Sequence, residues 1–375
     1  MADTRKKPSS PVATDVHRAL NAHNEAIGFA KAGDLASATS RLLHAVQVAG
    51  PNGVDPRSLR ALYQVAISNG DWKTGFAAGV LAAVRDPGDF AFVNRVLQSL
   101  ARCPPAELLS DVRYPLVSLP EKLPTLSVVL VSQDDARFAA VDAEYERAFS
   151  GWPHERIRVK GAHSMYEGYG RGFASSRGEI VAFSHDDIRF AVPDFAARLA
   201  RAMETSDMVG VAGTTRVTGP ALLWAGHPHL FGTIAQKSDE ESDYEFMAMS
   251  LEGPRIAAAQ GLDGVFIAVR RDWVARVGFD PVLFNGFHFY DLDFSYRAHL
   301  AGARVTIAGD LALIHRSRGQ YDERWTEAQD SFERKFPASE VPGKDRHWYA
   351  VRLPDAGAVS LMYAKLFAAW DLTLM

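Results

Sequence analysis

From about Val16 to Cys103, apolar residues recur three and four positions apart, with breaks at Gly and Pro, a spacing that predicts a run of amphipathic helices. Two stretches share one layout. The first reads Gly33-Asp34-Leu35, continues through Ala38, Leu42 and Ala45, and stops at Gly50-Pro51; the second reads Gly70-Asp71-Trp72, continues through Gly75, Gly79 and Ala82, and stops at Asp86-Pro87. Gly-Asp supplies a tight turn, and small residues at helical spacing let the two helices of a hairpin approach closely. Past Pro104-Pro105 the periodicity is lost, and a Pro- and Leu-rich stretch to Pro124 reads as a linker. The pattern then changes to strands alternating with helices: a strand at Leu126 to Val131, a helix from about Ala136 to Phe149, a strand at Ile157 to Val159, a helix over Ser164 to Ser175, and a strand from Glu179 to Phe183 that runs into Ser184-His185-Asp186-Asp187-Ile188. This alternation predicts a parallel sheet with crossover helices, whose ligands sit beyond the carboxyl ends of the strands. Further on, the pattern predicts a helix continuing to Gly302, a strand at Val305 to Ala308, an apolar run from Leu311 to His315, and an exposed amphipathic helix over Tyr321 to Phe336.

The expected organisation is a disordered tail over 1–14, a helical domain over 15–103, a linker over 104–123, an α/β domain over 124–340 and a C-terminal extension over 341–375. A length of 375 residues, with 47% hydrophobic and 23% charged, accommodates one large and one small globular domain. A net charge of -4 offers no clustered basic excess, so nucleic acid is not an expected partner. Cys103 is the single cysteine, which excludes an internal disulfide and fits a cytoplasmic setting. No apolar segment follows Arg5, Lys6 and Lys7, so no signal peptide is expected, and no apolar run approaches the roughly 18 to 20 residues that span a bilayer. Any membrane association is then peripheral, at the inner membrane face.

The acidic residues carry the chemistry. Asp186 and Asp187 follow an apolar strand directly, where adjacent carboxylates repel unless a cation or solvent compensates them. A divalent metal site and a plain helix cap both account for such a pair. Asp291 and Asp293 begin a helical pattern after Gly286-Phe-His-Phe-Tyr290, so capping again competes with function. Only one of the two is needed as a cap; the other, set among Phe287, Phe289, Tyr290 and Phe294, is partly desolvated and gains basicity as a general base. His315 ends an apolar run and reads either as a metal or phosphate contact or as a satisfied core histidine.

The helical section resembles the tetratricopeptide repeat in about two degenerate units, serving either as a spacer or as a surface for a protein partner. From Pro124 to Phe336 the chain resembles the family 2 glycosyltransferases of the GT-A fold, on five motifs in order: Ser164-Met-Tyr-Glu-Gly-Tyr-Gly-Arg171, Val181-Ala-Phe-Ser-His-Asp-Asp-Ile188, Asp263-Gly-Val-Phe-Ile267, Gly286-Phe-His-Phe-Tyr-Asp-Leu-Asp-Phe294 and His315. The resemblance implies an α/β fold with a Rossmann-like, mainly parallel sheet, and a metal-dependent, inverting transfer from a UDP- or GDP-linked sugar to a glycan, lipid-linked or protein acceptor. It places the Asp-X-Asp metal motif on His185-Asp186-Asp187, with His185 where the family has an acid, and implies Mn2+ or Mg2+ held by Asp187, His315 and His185. It makes Asp291 the base, with Tyr290 in place of the usual Glu, and puts Asp134 or Asp135 at the nucleoside, alongside Asp186 and Asp187 at the nucleotide sugar. Asp263 and Gly264 fall at the sugar and acceptor pocket, to which Trp224, His288 and Asp293 are added as candidates. Gln320-Tyr-Asp-Glu-Arg-Trp325 has one residue too many for the box of processive synthases. Two other readings remain: a nucleotide-sugar-binding scaffold that has lost turnover, and a nucleotidyltransferase, against which stands the absence of a Gly-rich phosphate loop after the first strand.

Overall fold

The computed structural model describes residues 11–110, 116–219, 225–237, 243–317, 322–337 and 348–374. The chain divides into two compact units, Met1–Val112 with Ala368–Met375, and Arg113–Phe367.

The first unit holds α1 (Pro11–Lys31), α2 (Leu35–Gly53), α3 (Pro56–Ser68), α4 (Trp72–Arg85), α5 (Phe90–Arg102) and the short α6 (Pro105–Leu109). Helix α1 therefore begins inside the stretch expected to be a tail, and α6 lies inside the expected linker. The two Gly-Asp turns have one geometry. Gly33 and Gly70 take φ of 82° and 79°, a region open to Gly, and the next residue caps a helix: Asp34 accepts from the Ser37 N–H and Asp71 from the Thr74 N–H. Asp89 caps α5 in the same way through the Phe92 N–H, but the Gly88 before it does not take a positive φ, so only the cap is repeated. Helix α1 packs on α2 and α3 on α4. The small residues of α4 allow the second contact, since a Cβ on Gly79 would lie 2.7 Å from Tyr63 Cδ2 and one on Gly75 would lie 2.5 Å from Ile67 Cδ1.

In chain order, the second unit begins with β1 (Leu126–Val131), α7 (Asp135–Ala148), β2 (His154–Val159), α8 (Met165–Ser175), β3 (Ile180–Ser184), β4 (Ile188–Phe190) and α9 (Phe195–Thr205). Short strands follow: β5 (Met208–Gly210), β6 (Ala212–Thr214), β7 (Leu230–Gln236), β8 (Tyr244–Ala248), β9 (Arg255–Ala257), β10 (Gly261–Leu262) and β11 (Phe266–Arg270). Last come α10 (Arg271–Val277), α11 (Tyr290–Leu300), β12 (Val305–Ala308), β13 (Leu313–His315), α12 (Glu323–Lys335), β14 (Tyr349–Leu353) and α13 (Ala356–Leu374), the end of which belongs to the first unit.

The larger sheet runs β2-β1-β3-β11-β5-β12-β9. Its first three strands are parallel, as the alternation predicts, and β11 then inserts antiparallel between β3 and β5, so the sheet is mixed beyond that point. The physical cause is β11 itself, which enters from the site end and reverses the direction. Val128, Val129, Val181, Ala268 and Val269 are fully buried, which is what a central strand covered on both faces requires. A second sheet, β10-β6-β7-β13-β4, carries β8 on β7, and β14 pairs in turn with β8. Among the described residues no helix is long and apolar enough to cross a membrane.

Gly79→Val should destabilise the helical unit by about 2 kcal/mol, because overpacking displaces Tyr63 from its hydrogen bond to Ser99. Urea denaturation followed by circular dichroism reads the loss; an unchanged midpoint would show that α3 and α4 do not pack as described.

Candidate functional site

Three distant segments meet at the carboxyl end of β3. The strand ends at Ser184, and His185, Asp186 and Asp187 form the turn into β4. Strand β4 pairs antiparallel with β13 in a register that sets His315 opposite Ile188, and the Arg316 N–H donates to the Asp187 carbonyl at 3.0 Å. That pairing stands the His315 ring beside the Asp187 carboxylate. On the other flank, Phe266 of β11 lies opposite Ser184, and the His185 N–H donates to the Val265 carbonyl at 3.1 Å, which brings Asp263 and Gly264 alongside.

Polar atoms crowd there. His315 Nε2 lies 3.3 Å from Asp187 Oδ1, 3.1 Å from His185 Nδ1 and 3.1 Å from Ser317 Oγ, and His185 Nδ1 lies 4.0 Å from Asp187 Oδ1. The side chains of Asp187 and His315 are only 9% and 10% exposed, so water does little to separate these atoms. Burial, with the neighbouring His315, pushes His185 down to about 4, leaving a neutral ring with a free lone pair. Burial works against ionisation of Asp187, yet the His315 hydrogen bond and the potential of both imidazoles hold its carboxyl well below the usual carboxylate range.

The donor set fits a divalent cation. Ligand atoms about 2.1 Å from a shared ion, at angles of about 90° to 110°, stand roughly 3.0 to 3.4 Å apart. Two of the three separations fall in that range, and the third, 4.0 Å, is somewhat longer. Among the described residues, His185, Asp187 and His315 are the one group of His, Cys, Asp or Glu side chains gathered this closely.

The other ring nitrogen of His185, Nε2, is 2.7 Å from the Tyr290 hydroxyl, which also lies 3.4 Å from the Gly264 carbonyl. Burial and the acids around it keep the Tyr290 phenol protonated, far above its ordinary value. One residue on, Asp291 Oδ2 accepts the Gly264 N–H at 2.8 Å. Gly264 has to be glycine, because a Cβ there would collide with the Tyr290 hydroxyl and lie 2.8 Å from Asp291 Cβ. Burial first, then the negative charge of Asp263, pushes Asp291 up to about 7. Short contacts thus run unbroken from Asp187 through His315, His185, Tyr290 and Gly264 to Asp291.

The sequence profile described as the Glycosyltransferase like family matches residues 128–337, which span this entire cluster. The chain belongs to the glycosyltransferase-like family. Comparison with curated proteins returns no match. Among solved structures, the chain is similar to GalNAc-T7 bound to UDP, GalNAc and Mn2+, with 11% identity and a TM-score of 0.34 over 59% of this chain and 52% of that one. It therefore spans about half the length of that protein. It is also similar to a mannosyltransferase from Pyrobaculum calidifontis in complex with GDP-Man and Mn2+, with 11% identity and a TM-score of 0.38 over 80% of this chain and 85% of that one.

Within this glycosyltransferase-like domain, other candidate residues lie apart from the cluster or are already engaged. Asp134 is the N-cap of α7, accepting the Ala136 and Arg137 N–H groups at 2.7 and 2.9 Å. Asp135 pairs with Lys160 at 2.5 Å and Arg158 at 2.6 Å. Asp186 lines a cavity beside Asp187. His288 lies 3.5 Å from Asp322, the cap of α12. Trp224, and Gln320-Tyr321 of the discounted box, lie outside the described residues.

Asp293 does not face a pocket. It is fully buried, taking the Tyr166 hydroxyl at 2.5 Å, Arg297 Nε at 2.9 Å and Lys335 Nζ at 2.9 Å, so it ties α8, α11 and α12 together. Neither Asp291 nor Asp293 caps α11; the N-cap position is Phe289, in a left-handed conformation with φ of 62°. Sequence reasoning missed Ser317 and Arg316, whose one available signal was adjacency to His315, and gave Tyr290 no role beyond being an unusual neighbour of Asp291.

Two variants test this division. Asp293→Ala should cost about 3 to 5 kcal/mol, since it strands Arg297 and Lys335 in a buried setting, while a surviving folded fraction keeps its metal affinity. Asp291→Asn should stabilise metal-free protein. The folded state holds a proton on Asp291 up to about 7 that the unfolded chain gives up near 3.8, so wild-type stability falls as pH rises through that window. The variant should melt above wild type at pH 8, by about 2 kcal/mol, with the gap closing towards pH 4; a variant less stable at pH 8 would contradict the desolvated carboxylate.

Proposed function

We propose that the chain transfers a sugar from a nucleotide-diphosphate donor to an acceptor hydroxyl, with a divalent cation at His185, Asp187 and His315 and with Asp291 as general base. The observation that carries this reading is the run of short contacts joining a compact His-Asp-His donor set to a half-buried carboxylate of raised proton affinity. A cation at that donor set would supply electrostatic stabilisation of the charge that builds on the departing diphosphate. Two imidazoles and one carboxylate are a softer set than Mg2+ prefers, so of the two ions expected, Mn2+ is favoured over Mg2+.

The chain's own groups account for the rest. For His185 Nδ1 to face an ion, its Nε2 must carry the proton and donate to the Tyr290 oxygen, which in turn donates to the Gly264 carbonyl. Asp291, ionised near neutral pH and held by the Gly264 N–H, takes the proton of the acceptor hydroxyl as that oxygen attacks the anomeric carbon. The base and the leaving diphosphate then lie on opposite sides of the sugar, which gives inversion.

Purified protein incubated with a panel of UDP- and GDP-sugars should release nucleoside diphosphate with Mn2+, less with Mg2+, and none after chelation. Asp187→Ala and Asp291→Asn should each lose 100-fold or more, as roughly estimated from the loss of an electrostatic or a proton-transfer contribution. A nearby cation lowers the Asp291 pKa, so kcat/KM should fall below about pH 6 to 7 and level off above it. Donor binding without turnover under every condition would replace this reading with the scaffold.

A further inference from the structure

We propose that His185 turns the site it forms with Asp187 and His315 towards late first-row ions, so that Zn2+ binds there more tightly than the Mn2+ that supports transfer, and arrests transfer when bound. The affinity stands by itself, whereas the arrest rests on the transferase reading. The donors are two ring nitrogens, His185 Nδ1 and His315 Nε2, and one carboxylate oxygen, Asp187 Oδ1. Among the described residues no second carboxylate joins the group. The affinity of a nitrogen site rises from Mn2+ towards Cu2+ and stays high at Zn2+, while carboxylates and water suit Mn2+. A site with more imidazole than carboxylate therefore ranks Zn2+ above Mn2+.

The geometry admits a tetrahedral ion. Ligands about 2.0 Å from Zn2+ stand roughly 3.3 Å apart. His315 Nε2 lies 3.1 Å from His185 Nδ1 and 3.3 Å from Asp187 Oδ1, and the 4.0 Å between His185 Nδ1 and Asp187 Oδ1 is the one edge that has to shorten. His185 is held in this role by its other nitrogen: Nε2 is 2.7 Å from the Tyr290 hydroxyl, which leaves Nδ1 turned to the donor set. Such a partner at the remote nitrogen fixes the ring and its tautomer and strengthens the histidine as a ligand. The arrest follows from coordination number. Three protein ligands leave a tetrahedral Zn2+ one open position, whereas the octahedral shell of Mn2+ keeps three. A diphosphate chelates an ion through two adjacent open positions, so zinc-loaded protein holds the donor weakly.

Competition of metal-free protein with a chromophoric chelator reads both affinities with no donor present. Zn2+ should bind about 100-fold more tightly than Mn2+, at a single site per chain. His185→Asp, which exchanges an imidazole for a carboxylate, should narrow that ratio by about tenfold or more. Asp187→Ala should lose both ions, and replacement of His44, an exposed histidine of the helical unit, by Ala should change neither. X-ray absorption at the zinc edge of the wild type, which needs no variant, should show two imidazoles at about 2.0 Å. A preference for Zn2+ below about tenfold, an unchanged ratio in folded His185→Asp protein, or a zinc spectrum without imidazole overturns the selectivity. With a nucleotide sugar as donor and Mn2+ and Zn2+ at equal concentration, release of nucleoside diphosphate should fall about tenfold or more below that with Mn2+ alone. Release that zinc leaves unchanged overturns the arrest, and no release with Mn2+ alone overturns the transferase reading, while the two affinities still decide the selectivity.

Discussion

The site depends on one pairing, that of β13 with β4. It sets His315 against Asp187 and, through the Arg316 N–H, closes the turn that carries both Asp186 and Asp187. A slip of one residue would send His315 to the opposite face and leave a buried carboxylate with no partner, a cost of several kcal/mol. The register is strongly specified for that reason, because Leu313 and Ile314 are buried with it and Tyr363 of α13 donates to the Leu313 carbonyl at 3.1 Å.

Electrostatics around the end of β3 are divided between two acidic regions. On one side Asp187 is held ionised by imidazoles, and on the other Asp291 is pushed towards protonation by burial and by Asp263. Two carboxylates with opposite tendencies, joined by His185, Tyr290 and Gly264, are what separate electrophilic and basic roles require. Tyr290 gives the connection its rigidity: an acid in its place would add a third charge beside Asp263 and Asp291, whereas a protonated phenol bridges His185 and Gly264 with no charge of its own.

Much of this was legible in the sequence. The period of the apolar positions located β1, α7, α8, β3 and β12 to within a residue or two, and the Gly-Asp repeats marked turns whose φ and caps are alike. Strand β11 could not be read as antiparallel, since a short buried run looks the same in either direction and only its partners decide. Asp293, counted among the pocket candidates, stands two residues from Asp291, but two positions along a helix turn a side chain to another face, and there Arg297, Tyr166 and Lys335 enclose it. The closeness of His185 to His315 was implied by resemblance to a family, whereas the contacts of Tyr290 and the placement of Arg316 are tertiary facts that no local pattern encodes.

The most direct measurement is a crystal soaked in Mn2+ and examined at the manganese absorption edge. The account predicts one strong anomalous peak within about 2.3 Å of Asp187 Oδ1, His185 Nδ1 and His315 Nε2, abolished in Asp187→Ala. Manganese bound elsewhere, or no peak at this site at saturating Mn2+, would contradict it.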